Sequence, residues 1–166
     1  MAVARDSAVQ GGGGFDSQNV AFWDPNRNEY RSYCRMMHEP PGRVRTIGWA
    51  RSDDFLNWPP RERIEIADAP REDLYTNATL PCFRAPHIYL AFPKRLVPHR
   101  SGREGHTGIS DAVIMTSRDG VLFRRWNEPV VPITAPKDRD GNRSNYMAWG
   151  LLQLPGQDRE LSVYAP

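Results

Sequence analysis

Short apolar runs cut by turn residues pattern this chain, and the order of the elements repeats. Residues 19–23, Asn-Val-Ala-Phe-Trp, are an apolar run that reads as a strand. Residues 24–28, Asp-Pro-Asn-Arg-Asn, predict a turn, because Asp and Asn bond their own backbone and Pro presets φ. Residues 29–36 then alternate, with Tyr30, Ser32, Cys34 and Met36 on one face and Arg31, Tyr33 and Arg35 on the other. A Pro40-Pro41-Gly42 loop leads to a third strand at 43–50. A turn ending on aromatics follows at 52–58, and residues 64–66 predict an outer strand.

The plan then returns. Residues 77–83 repeat the first strand, Pro86 marks the turn, and 87–92 repeat the second strand. A polar, Gly-containing loop is expected over 98–110. The third strand is expected at 111–116, an aromatic turn at 117–126 and an outer strand at 130–133. A third round has a strand at 145–149, a turn at Pro155-Gly156-Gln157-Asp158 and a second strand at 160–164. Asn19, Asn77 and Asn145 lead the three rounds, spaced roughly 60 residues apart. A Ser/Asp turn ending on Trp recurs as Ser52-Asp53-Trp58 and Ser117-Asp119-Trp126, and its Trp is expected to pack between units.

Four short strands per repeat predict an all-β chain built of β-propeller blades of antiparallel strands. A β-sandwich fits the strand count too, but it does not require the order of elements to repeat. The expected organisation is a Gly-rich tail over 1–14, made flexible by Gly11 to Gly14, and one partial propeller domain over 15–166. Blade 1 covers 15–68, blade 2 covers 73–134, and an incomplete blade 3 covers 138–166.

Composition narrows the classes. At 166 residues the chain is the size of one ordinary domain. Its apolar share is only 39%, offset by five Trp, six Tyr and six Phe that each bury a large area. Fifteen prolines argue against long helices. A net charge of +2 from intermixed acids and bases points away from nucleic acid and from an anionic membrane. No run is long enough to span a bilayer as a helix. Residues 1–6 lack the apolar stretch of a secretory signal, so the chain as written carries no export address. Cys34 and Cys82 belong to no metal-spaced pattern and read as small buried hydrophobes, or as a disulfide if their strands are neighbours.

The run Phe15-Asp16-Ser17-Gln18-Asn19-Val20-Ala21-Phe22-Trp23-Asp24, the Ser-Asp-Trp turns, and the run from Arg84 to Pro93 resemble the five-bladed β-propellers of glycoside hydrolase families 32 and 43. The likeness covers residues 15–166. The chain departs from the family 32 catalytic motifs, of which only the Asp24-Pro25 pair has a match. It supplies about two and a half blades of such a propeller. The resemblance implies hydrolysis of a glycosidic bond in a carbohydrate by paired carboxylates, with no cofactor. The alternative is a non-catalytic propeller fragment that binds carbohydrate or a protein partner. Open blade edges are expected to allow self-association.

Two carboxyl groups must flank a scissile glycosidic bond. Asp16, Asp73 and Asp140 each precede an inner strand and are expected to face one central funnel. Asp16 is the first candidate for nucleophile, base or fixed anion, against the reading of an Asx turn. Asp73 is a candidate to orient or stabilise, and Glu160 is a candidate acid. Asp140-Gly141-Asn142 reads as a turn. Gln18, Asn19, Asn77, Arg84, Asn145 and Trp149 are candidate substrate contacts, although a repeated Asn also serves the repeat itself. His38, His87, His99 and His106 have no metal-ligand spacing, so no metal is expected.

Overall fold

The structure, a computed structural model, describes residues 17–38, 43–101, 107–133 and 144–165. Asp16, Asp140 and the four-glycine run lie outside them. The described residues are all-β, with no helix.

The first round folds as one antiparallel sheet in chain order. It comprises β1 (Val20–Asp24), β2 (Glu29–His38), β3 (Val44–Ser52) and β4 (Glu62–Arg63). The β1–β2 turn forms as its residues dictate: Asp24 Oδ1 accepts the Asn26 N–H at 3.0 Å, and Asn28 takes a positive φ of 54°. Val20 then faces Tyr33, and Trp23 faces Tyr30.

The second round builds a five-stranded sheet from β5 (Glu65–Ala67), β6 (Leu80–Cys82), β7 (Ala85–Ala91), β10 (Met115–Ser117) and β11 (Leu122–Arg125). Its order is β6-β7-β10-β11-β5, and β5 lies parallel to β11. The outer strand expected at 64–66 is therefore shared between sheets. Ile64 N–H bonds the Ile47 carbonyl at 3.0 Å, and the next residue, Glu65, bonds the Val121 carbonyl at 2.8 Å. Ile64 itself is buried at the crossing point.

Several expected boundaries are corrected. The polar loop expected over 98–110 is largely a projecting hairpin of β8 (Lys94–Ser101) and β9 (Thr107–Ala112). Bidentate bonding of Arg95 to Asp111, at 3.0 and 2.7 Å, lets these polar strands pair. The third-strand pairing with β7 is confined to β10. The fourth strand of the second round is β11 rather than 130–133, where Val131 makes only an isolated bridge to Ala112, and the edge beyond β11 is taken by β5. The third round is a loose hairpin. Leu152 and Ser162 exchange backbone bonds at 2.9 and 2.7 Å, and Ala148 N–H reaches the Tyr164 carbonyl at 2.8 Å.

Both Ser/Asp turns share one geometry. The hydroxyl of Ser117 accepts from the N–H of Asp119 and Gly120, while Asp119 Oδ1 accepts from Val121 and Leu122. In the first sheet Ser52 caps Asp54 and Phe55, and Asp54 accepts from Leu56 and Asn57. The counterpart of Asp119 is thus Asp54 and not Asp53. Trp58 packs on Phe55 within its own turn, and Trp126 is half exposed, so neither ring fills a seam between sheets as expected.

Apolar cores fill two successive seams. Val20, Tyr33, Ile47, Ile64, Leu74, Tyr89, Met115 and Phe123 pack between the two sheets. Ala78, Leu80, Phe92, Ala112 and Met147 pack where the third segment meets the second sheet. At one end of the first seam lies a buried polar cluster. Tyr89 donates its hydroxyl to the carboxylate of Asp24. Arg31 bonds Glu29 at 2.8 Å and the Asp119 carbonyl at 2.6 Å, and Tyr33 donates to the Gly120 carbonyl at 2.9 Å. Burial pushes the Tyr33 hydroxyl up to about 12. This cluster stitches β2 to the turn between β10 and β11.

Candidate functional site

The opposite end of the sheets is where the three rounds begin, and Gln18 ties them together. Its Oε1 accepts the Ala78 N–H at 2.6 Å, and its Nε2 donates to the Met147 carbonyl at 3.2 Å. Buried Asn77 donates to the carbonyls of Gln18, at 3.1 Å, and Tyr33, at 3.2 Å. Asn145 spans the next seam, donating to the Ser110 carbonyl at 2.9 Å. Asn19 serves its own strand entrance, bonding the Ser17 carbonyl at 2.8 Å. The amides of Gln18, Asn19, Asn77 and Asn145 are therefore engaged with backbone. Trp149 also spans a seam: its indole N–H donates to the Thr79 carbonyl at 2.8 Å, while its ring is half exposed. Ala78, wholly buried here, holds φ at 41°. That left-handed conformation costs an L-residue about 1–2 kcal/mol.

Beside this junction opens a cleft of about 380 Å³. Arg45, from β3, and Asp73 form one wall; Lys94 and Leu96, from β8, form another. Tyr75 stands between them, and Gly108, Ser110 and Ser144 are the other described lining residues. Backbone bonds fix these walls: Leu74 N–H to the Arg45 carbonyl at 3.0 Å, Tyr75 N–H to the Lys94 carbonyl at 2.8 Å, and Leu96 N–H to the Asp73 carbonyl at 3.0 Å. Asp73 Oδ1 accepts from both the N–H and the guanidinium of Arg45, at 2.8 and 3.3 Å. Its Oδ2 has no donor among the described residues. The Tyr75 ring has three cations near its face: Arg45 at 5.4 Å, Lys94 at 5.6 Å and Arg35 at 5.8 Å. Burial lowers the pKa of Lys94 from its ordinary value.

Of the residues expected to act, Asp73 lines the cleft, and Gln18, Asn19, Asn77 and Asn145 sit at the junction where the strands enter. Glu160 is exposed in the turn of the last hairpin, whose other end leads to Ser144 and the cleft. Arg84 is exposed in the β6–β7 turn, with its guanidinium 5.6 Å from the Phe83 ring. It lies at the far end of β7 from Lys94. Tyr75, Lys94 and Arg45 were not anticipated. Each is a single residue in no motif, and only Tyr75 had a signal available, its place between Asp73 and Asn77. Among the described residues no three His, Cys, Asp or Glu side chains cluster for a metal, and Cys34 and Cys82 are free thiols.

An arrangement of one oriented carboxylate, an aromatic face, two cations and two serines suits a polyhydroxylated ligand. The ring offers an apolar face and the side chains offer directed hydrogen bonds. No protein-family model matches the chain, and no curated protein matches it in sequence. A solved structure of similar fold is an N-acetylgalactosamine deacetylase from F. plautii, crystallised in complex with blood group B trisaccharide. The match has a TM-score of 0.55 at 12% identity and covers 75% of this chain and 33% of that protein. The chain spans about a third of its length, and at this identity the likeness is one of fold.

Proposed function

We propose that this chain forms part of a β-propeller enzyme acting on carbohydrate, with the sugar bound in the cleft beside Gln18. The observation that carries the reading is the convergence of three strand entrances on Gln18, next to a cleft that presents Asp73 and the Tyr75 ring. The first sheet is a simple meander, and each segment packs on the next, as propeller blades do. The fold likeness to a carbohydrate deacetylase supports the substrate class.

The reaction we propose is glycosidic bond hydrolysis by paired carboxylates, Asp16 and Asp73. Asp73, steadied by Arg45, leaves Oδ2 to face developing positive charge at the sugar carbon. Asp16, two residues before Gln18 in sequence, is the proposed nucleophile or base. A second reading, sugar binding without catalysis, is favoured by the hold of Arg45 on Asp73 and by the position of Glu160 away from the cleft.

The two readings separate on one protein. Calorimetric titration with a panel of mono- and oligosaccharides measures binding, and release of chromophore from aryl glycosides measures hydrolysis. Asp16→Asn should cut hydrolysis at least about a hundredfold with binding intact. Tyr75→Ala should weaken binding. Binding by wild type without any hydrolysis would favour the non-catalytic reading, and no sugar binding at all would overturn both.

A further inference from the structure

We propose that the sugar taken by the cleft carries an anionic substituent, a carboxylate or a sulfate, and that Lys94 and Arg45 receive it. The inference rests on the carbohydrate reading above and narrows it to acidic sugars.

Among the described residues, buried Arg31 and Arg125 and part-buried Arg95 face carboxylates. Arg31 meets Glu29 at 2.8 Å, Arg95 meets Asp111 at 2.7 Å, and Arg125 meets Glu72 at 2.6 Å. Lys94 is built differently. Its ammonium sits 5.0 Å from the Tyr146 ring centre and 5.6 Å from that of Tyr75, and it donates to Ser144 Oγ at 2.6 Å. No carboxylate pairs with it among the described residues. An ammonium has three donors, and here one meets a neutral hydroxyl. Ring faces compensate a cation only in part.

The position is also held. Lys94 N–H donates to Thr76 Oγ1 at 3.1 Å, and its carbonyl accepts the Tyr75 N–H at 2.8 Å. Across the same ring, Arg45 places its guanidinium 5.4 Å from the Tyr75 centre, with one nitrogen committed to Asp73. Among the described residues the lining thus carries two cations against one carboxylate. A neutral sugar would leave that excess uncompensated in a partly desolvated cleft. An anionic substituent between Lys94 and Arg45 would match it with charge-assisted hydrogen bonds. The lowered proton affinity of Lys94 fits a site whose counter-charge arrives with the ligand.

The test is calorimetric titration of the whole chain with galactose, galacturonate, glucuronate and galactose 6-sulfate. At least one acidic sugar should bind about tenfold or more tightly than galactose, and added salt should weaken that preference. Whether the uronates or the sulfate gain more identifies the substituent. Lys94→Gln should abolish the preference, while Lys94→Arg should keep most of it. Near-UV circular dichroism checks that Lys94→Gln folds; if it does not, Arg45→Gln should show the same loss of preference. Equal binding of galactose and the acidic sugars would overturn this inference and leave the carbohydrate reading standing. Binding of no sugar would overturn both.

Discussion

Gly120 and Gly156 offer a controlled pair, because both hold nearly the same left-handed backbone, at φ of 76° and 77°. Alanine at either position pays about 1–2 kcal/mol for that conformation. It regains about 0.4–1 kcal/mol by restricting the unfolded chain. At Gly156 nothing lies within 4 Å of the new Cβ, so Gly156→Ala should cost only about 1 kcal/mol net. At Gly120 the Cβ would overlap Arg31 Nη1 and the Tyr33 hydroxyl, and would lie 3.3 Å from Tyr89 Cε2. Relieving the overlap moves a buried guanidinium off Tyr33 and the Asp119 carbonyl, and stripping partners from a buried charge costs about 3–5 kcal/mol. Gly120→Ala should therefore lose about 4–6 kcal/mol. For a chain of this size the difference between the variants corresponds to roughly 6–20 °C in Tm. Urea unfolding followed by tryptophan fluorescence measures it. If Gly120→Ala lies within about 1 kcal/mol of Gly156→Ala, the polar cluster does not hold the seam as described.

Two further outcomes follow from the same geometry. The proton affinity of Asp119 is lowered; burial works against this, but the N–H groups of Val121 and Leu122 and the Ser117 hydroxyl outweigh it. Its contribution is therefore present above the ordinary Asp pKa, about 4, and lost as pH falls through the lower folded value. Asp119→Asn should cost about 1 kcal/mol at neutral pH, and by thermal melts the loss should shrink as pH falls below the ordinary Asp range; a loss independent of pH would refute the turn's dependence on charge. The last hairpin leaves Leu152, Leu154, Leu161, Val163 and Tyr164 exposed, so the protein should self-associate at micromolar concentration by sedimentation equilibrium. Leu154→Asp with Val163→Asp should yield a monomer, whereas a monomeric wild type would show that the face needs no cover.

The meander was legible because its signals are local. Alternation from Tyr30 to Met36 and the Asp-Pro-Asn turn specify neighbouring strands directly. The parallel docking of β5 on β11 was not legible, since Glu65 finds its partner Leu122 far along the chain and no local residue type encodes that pairing. The β8–β9 hairpin was hidden by its own polarity: Pro98, His99 and Arg100 read as loop, and the Arg95–Asp111 pairing appears only once the strands align. The choice of Asp53 over Asp54 shows the limit of a motif without its bonds, because adjacent aspartates differ only in which backbone N–H groups they reach. Asp73 was singled out by its place ahead of the second inner strand, and it lines the cleft. Tyr75 and Lys94 could not be singled out, because the placing of one ring under three cations is a property of topology and not of either residue.

The two ends of the sheets differ in how they handle buried polarity. At the β1–β2 turn, Asp24, Glu29, Arg31, Tyr33 and Tyr89 satisfy one another or nearby backbone. Such a cluster is closed and gives a ligand nothing to complete. At the strand entrances, Ala78 is strained, Ser17 Oγ and Thr79 Oγ1 are buried without hydrogen-bond partners, and Lys94 lacks a counter-ion among the described residues. Each of these opposes folding, and strain held by surrounding structure concentrates where proteins bind and react. A ligand that supplied the missing negative charge would relieve part of that burden, and its binding would then stabilise the fold by mass action. On the proposed function, a ligand held by Asp73, Tyr75 and Lys94 would couple its own affinity to the stability of the fold.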